Sequence, residues 1–318
     1  MHVDIPSPRR VLCALDVEGS PSGALSVGSL IAERFRASLD ALYAPAPARS
    51  ASGREERVRR LISEHNSRER LDELLGPMAG SLAVTPYVTP GRASTVILAH
   101  SERHDSDLIV MGGSAPARFR DVRAGTLSPV SIAAGCAVLS VRGTEAERGL
   151  RRILLPVGEC FADGPATSWA IALATRFGAQ VDVLPVRGGG LGFWQALKPA
   201  RVVDARAAEA RLFGRSHGAL SRIRCARVEA RELDHLEPSG FDAVTTLAET
   251  GTFDVVVVGL HAHGDGATAG DALVGSLRRR SGVSVLSVRA LTENCIFAGG
   301  AFKAPRVSND VNVYGVPA

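Results

Sequence analysis

The sequence predicts an α/β chain built as two tandem, doubly wound, five-stranded parallel sheets. Three observations lead there. Short continuous apolar runs, as at 11–15 and 255–258, alternate with longer segments of helical period, the pattern of parallel strands covered on both faces. The pattern occurs twice along the chain. The length of 318 residues suits two ordinary domains better than one.

The repeat is explicit. Arg10-Val11-Leu12-Cys13-Ala14-Leu15 returns as Arg152-Ile153-Leu154-Leu155-Pro156-Val157, 142 positions later. Arg34-Phe35-Arg36-Ala37 returns at the same offset as Arg176-Phe177-Gly178-Ala179. Ser106-Asp107-Leu108-Ile109-Val110-Met111-Gly112 matches Phe253-Asp254-Val255-Val256-Val257-Val258-Gly259 at an offset of 147, so the second copy carries five extra residues. The glycine-rich stretch 188–192 is the expected place for them. The chain divides into copies at 1–148 and 149–290 and a tail at 291–318 without helical period.

In the first copy, 11–15 is a buried strand. Residues 24–37 form a helix whose stripe is Leu25, Leu30, Ile31 and Phe35. A strand at 39–44 leads to a helix at 55–75, with Val58, Leu61, Ile62, Leu71, Leu74 and Leu75 at helical spacing. A strand at 84–88, a helix at 93–103, and strands at 107–111 and 137–142 complete the unit. Right-handed crossovers then place ligands at the carboxyl ends of the strands, where the strand order reverses.

Composition excludes several classes. With 45% hydrophobic and 22% charged residues the chain can build a core, which excludes broad disorder. Aromatics at 5% are too few for a base-stacking platform. The net charge of +4 rests on arginines interspersed with acids, Lys198 and Lys303 being the only lysines, so no basic arm for nucleic acid appears. Five scattered cysteines without a CxxC pair suggest neither a disulfide framework nor a zinc site. The first ten residues lack a signal-peptide pattern, and no run approaches the ~20 apolar residues of a membrane span. The expectation is a soluble, cytoplasmic protein with no membrane or specific nucleic-acid partner.

Residues able to meet a ligand gather at the predicted strand ends: Asp16, the 43–45 stretch, and Met111-Gly112. Gly125-Thr126 sits where a helix should begin. It reads either as a plain helix start capped by Thr126, or as amides and a hydroxyl offered to a phosphate. The loop between holds no lysine, which excludes a Walker-type site, and Arg118, Arg120 and Arg123 are either phosphate partners or a solvated face. His261, His263 and Asp265 share one loop but are too few for a metal assignment, and no metal site is assigned. Phe193 and Trp194 read as a lid or as a buried anchor. No nucleophile–base or paired-carboxylate set falls at the strand ends, so no catalytic residue is assigned.

The run Asp107 to Gly112, followed by Ala115 and then Gly125-Thr126, resembles the universal stress protein family, in particular its tandem members, over both copies at 9–142 and 151–289. The family's signature is G-x2-G-x9-G-[ST] after a hydrophobic strand. The resemblance implies an adenine nucleotide alpha hydrolase-like fold. It also implies ATP or another adenine nucleotide, with Mg2+ as its accompanying ion. The implied ligand shell is Asp16, Ala44, Met111, Gly112, Ala115, Gly125, Thr126, Leu127 and Ser128. It further implies pairing through the fifth strands, within one chain or in a homo-oligomer. The function implied is a nucleotide-binding regulator of stress response, with at most weak ATP hydrolysis. Ala115 departs from the signature by adding a methyl where a phosphate should lie close, at a cost of ~1–3 kcal/mol if it overpacks. In the second copy Gly158 replaces the aspartate, Ala262 the second glycine, and Ala272-Leu273 the Gly-Thr pair, so that site is degenerate or serves another ligand. The alternative is a scaffold that has lost its ligand, dimerises, and presents surfaces to partners.

Overall fold

The computed structural model describes residues 6–16, 22–46, 54–78, 82–112, 125–142, 149–157, 163–185, 223–225, 240–261 and 269–290. The expectations for Ala115, Arg118, Arg120, Arg123, Gly158, Phe193, Trp194, Ala262, His263, Asp265, the 188–192 stretch and the 291–318 tail fall outside these residues.

The first half runs β1 (Arg10–Leu15), α1 (Ser22–Phe35), β2 (Ser38–Tyr43), α2 (Arg54–Leu75), β3 (Val84–Val88), α3 (Ala93–Arg103), β4 (Leu108–Gly112), α4 (Leu127–Ala133) and β5 (Ala137–Val141). The second runs β6 (Arg152–Val157), α5 (Asp163–Phe177), β7 (Gln180–Pro185), β8 (Ile223–Cys225), α6 (Gly240–Glu249), β9 (Val255–Leu260), α7 (Ala269–Arg280) and β10 (Ser284–Arg289). All ten strands form one sheet in the order β3-β2-β1-β4-β5-β10-β9-β6-β7-β8. Each half is parallel throughout, and the two meet where β5 and β10 pair antiparallel, Leu139 opposite Leu286. An approximate two-fold axis therefore crosses the sheet between them.

Burial follows the sheet. Every residue of β9 and β10 is buried, as strands covered on both faces require. One face carries α1 and α5 over a core that runs through both halves, including Val11, Ile31, Leu139, Ile153, Leu173 and Leu286. The other face is divided between α3 and α4, over Leu12, Ile109, Met111 and Val138, and α6 and α7, over Val256, Val258 and Leu277. The α2 expectation needs correction. Leu71 and Leu75 are buried, but Leu61 and Ile62 stand 60% and 55% exposed. This helix leads to β3, an outermost strand, so its apolar stripe reaches the sheet only in its last turns. Pro86 within β3 suits that edge, because proline cannot donate to a further strand.

Polar contacts fasten the seam between the halves. Ser140 and Ser287 donate to the carbonyls of Val285 and Val138, each at 3.2 Å. The Arg278 guanidinium reaches across to Ser131 at 2.8 Å and Ser140 at 3.2 Å, and burial pushes its pKa down to about 10. Arg142 crosses in the opposite direction and donates to the carbonyls of Arg278, in the last turn of α7, and Ser281, just past its end. The repeated Arg-Phe pair has a physical reading too. Arg34 lies over Phe177 at 5.7 Å and Arg176 over Phe35 at 5.5 Å, a reciprocal cation–π pair between α1 and α5.

Candidate functional site

Strand register brings the expected ligand residues to one end of the sheet. Leu15 pairs with Tyr43, so the next residues, exposed Asp16 and half-buried Ala44, leave adjacent strands side by side. Ala14 pairs with Met111 on the opposite flank, which puts Gly112 at the end of β4 beside them. Strand order reverses between β1 and β4, so this is the crevice where doubly wound sheets receive ligands. Among the described residues, a Cβ built on Gly112 or Gly125 would meet nothing within 4 Å, so on that side both backbones border open space.

Gly125 and Thr126 precede α4. The chain then returns to begin β5 with Ala137 opposite Leu108, at the amino end of β4, so Gly125 and Thr126 lie toward the carboxyl ends. The helix-start reading holds only in part. Thr126 already has helical angles and its side chain makes no capping hydrogen bond, which leaves the hydroxyl to other partners. Met111 and Leu127 pack into the α3–α4 core beside Val130, so their side chains support the site from beneath, and Ser128 is exposed in the first turn of α4.

In the equivalent region of the second half the described side chains pair with one another. Ala272 and Leu273 lie inside α7, which spans 12 residues against seven in α4, and Leu273 is buried. Arg289, at the end of β10, donates to Asp271 at 2.6 Å and to the carbonyl of His261 at 2.9 Å. Both members of the pair are largely shielded, with side chains 6% and 13% exposed. The guanidinium thus joins His261, just past β9, to the first turn of α7. Among the described residues, the first half offers open backbone at Gly112 and Gly125 and a Thr126 hydroxyl without a capping bond, which fit an adenine nucleotide, and the second half offers no equivalent set.

No protein-family model matches the sequence, and no curated protein matches it. Solved structures do match the fold. A universal stress protein from Archaeoglobus fulgidus DSM 4304 aligns over 89% of this chain and 96% of its own, with a TM-score of 0.58 and 15% identity. A Pseudomonas aeruginosa UCBPP-PA14 protein assigned to the same group aligns over 91% and 95%, with a TM-score of 0.55 and 14% identity. The chain has the universal stress protein fold. A further universal stress protein, solved in complex with cAMP, covers 44% of this chain and 100% of its own, with a TM-score of 0.34 and 15% identity.

Within the universal stress protein fold, the aspartate that opens the β4 motif does structural work. Asp107 accepts the backbone amides of Arg9 and Arg10 at 2.7 and 3.0 Å. Asp254 does the same for Arg151 and Arg152 at 2.7 and 2.8 Å. Both tie down the amino ends of first strands, opposite the crevice. Cys13 is buried and Cys136 partly so: desolvation raises Cys13 far above its ordinary pKa and pushes Cys136 up to about 11.

The sequence reading passed over one polar cluster. Under α3, the His100 Nε2 lies 3.2 Å from Asp40 Oδ2, with both residues buried. The rings of His100 and His104 stack at 4.1 Å, and Tyr87 meets His100 edge-on at 4.4 Å. The available signal was two histidines four apart on a predicted helix. Among the described residues, no helix is long and apolar enough to cross a membrane.

Proposed function

We propose that the first half binds an adenine nucleotide, ATP with Mg2+, and that the protein is a cytoplasmic, nucleotide-dependent regulator of stress response without dedicated catalysis. The observation that carries this reading is the convergence of Asp16, Ala44 and Gly112 at the strand-order reversal, with open space at Gly112 and Gly125. Asp16 would hold the nucleoside, and the Gly125-Thr126 backbone and hydroxyl would take the phosphates. Without a lysine in the intervening loop, amides, hydroxyls and arginine would supply the phosphate contacts. The copies at 1–148 and 149–290 would act as one regulatory unit, and ligand binding would alter the surface that the first copy offers to a partner.

Titration calorimetry of the full chain with Mg-ATP tests this. One site per chain is expected, with Asp16→Ala weakening binding at least tenfold. Absence of heat, together with no nucleotide released from the denatured protein in mass spectrometry, overturns it. A second reading, the ligand-free scaffold, is favoured for the second half by the Arg289–Asp271 pair. Two nucleotides bound per chain would refute that assignment.

A further inference from the structure

The two halves carry a buried aspartate at the same position of their second strands, and they treat it differently. In the second half, Asp182 takes Arg152 at 2.5 Å and the Gln180 amide at 2.8 Å, a closed ion pair. In the first half the equivalent Arg10 stands off Asp40 at 3.6 Å, with its side chain 38% exposed, while Asp40 is 3% exposed. His100 and His104 enter instead. Their positions in the second half, 147 residues on, are Leu247 and Gly251. Both histidines belong to the end of α3, one turn apart, so they flank the carboxylate from one side.

We propose that Asp40, His100 and His104 form a binding site for a divalent transition-metal ion of the zinc type, which displaces the Arg10 guanidinium as the cation facing Asp40. The donor set of two imidazoles and one carboxylate suits such an ion better than Mg2+ or Ca2+, which prefer oxygen. The three donor atoms lie within 4.8 Å of one another. Donors around a tetrahedral zinc are about 3.3 Å apart, so the widest pair must close by at most about 1.5 Å. The Asp40–His100 pair is already at 3.2 Å. The adjustment therefore falls to His104, which is half-buried and terminates α3, where a side chain can turn without repacking the core. Three protein ligands leave one position for water or a partner's ligand. The site lies beneath α3 toward the start of β1, where Arg10 stands, so it is separate from the nucleotide crevice.

The test uses the metal-stripped full chain titrated with Zn2+ alone, and with Co2+ followed by visible absorption. One site is expected, showing the d–d bands of low-coordinate Co2+. His104→Ala should weaken Zn2+ binding at least tenfold while circular dichroism stays unchanged. Arg10→Ala should tighten it severalfold by removing the competing cation, an outcome opposite to that of a structural ion pair. Zinc binding indifferent to His104→Ala, an Arg10→Ala variant that binds no better, or absence of any Co2+ band would each overturn the assignment.

Discussion

Replacing Asp271 with alanine isolates the plug in the second half. Arg289 is buried on β10, and its guanidinium donates to Asp271 at 2.6 Å and to the carbonyl of His261 at 2.9 Å. Among the described residues its Nε has no hydrogen-bond partner. Loss of the carboxylate leaves a desolvated guanidinium held by one carbonyl, and removing one member of a buried pair costs about 3–5 kcal/mol. The remaining carbonyl contact places the expected loss near the lower end, about 3 kcal/mol. Asp271 also sits in the first turn of α7, where a negative charge adds roughly 0.3–1 kcal/mol. Urea unfolding followed by far-UV circular dichroism measures the loss as a lower midpoint at unchanged slope. The double variant Asp271→Leu with Arg289→Met removes both charges, and should recover most of that stability. A single substitution costing under about 1 kcal/mol, or a double variant less stable than the single, would refute a buried, mutually dependent pair.

Two further predictions follow from the same physics. Asp107→Ala should lower stability by about 1–3 kcal/mol and speed amide exchange at Arg9 and Arg10, because two amides lose a charged acceptor; an equal loss of nucleotide affinity would contradict a purely structural role. At pH 8 the Cys136 thiol should alkylate about a hundredfold more slowly than an ordinary thiol, given a pKa pushed from 9.0 up to about 11. The folded state then holds this proton more tightly than the unfolded chain, so the stabilisation is complete below pH 9 and fades as pH rises through about 11. Rapid labelling of Cys136 at pH 8, read by mass spectrometry, would show that the thiol is not shielded.

Strands were the legible part of this sequence, because a parallel strand covered on both faces must be apolar without interruption. Residues 84–88 and 93–103 matched their elements to the residue. The apolar stripe of α2 misled at Leu61 and Ile62, since helical spacing reports a shared face but not whether a sheet lies opposite it. The carboxyl-end residues could be found because chain order dictates where the sheet reverses. The different courses of the seam arginines could not. Arg142 and Arg289 are the same residue of the repeat, yet one crosses to the other half and one turns back to Asp271. Position 124, which corresponds to Asp271, is alanine in the first copy. Asp40 escaped notice for a related reason: its partner His100 is 60 residues away and only the packing of α3 brings it near.

The antiparallel join of β5 to β10 makes this chain a dimer whose subunits cannot part. Docking of the halves is an intramolecular event, so their pairing should not weaken on dilution, as that of a separable dimer must. Covalent linkage also breaks a genetic constraint. In a dimer of identical chains every substitution appears in both sites at once. Here Arg289 can take Asp271 in one half while Arg142 crosses the seam from the other, and histidines can accumulate around Asp40 while Asp182 keeps its arginine. Duplication with fusion gives the two halves separate histories on a single shared sheet.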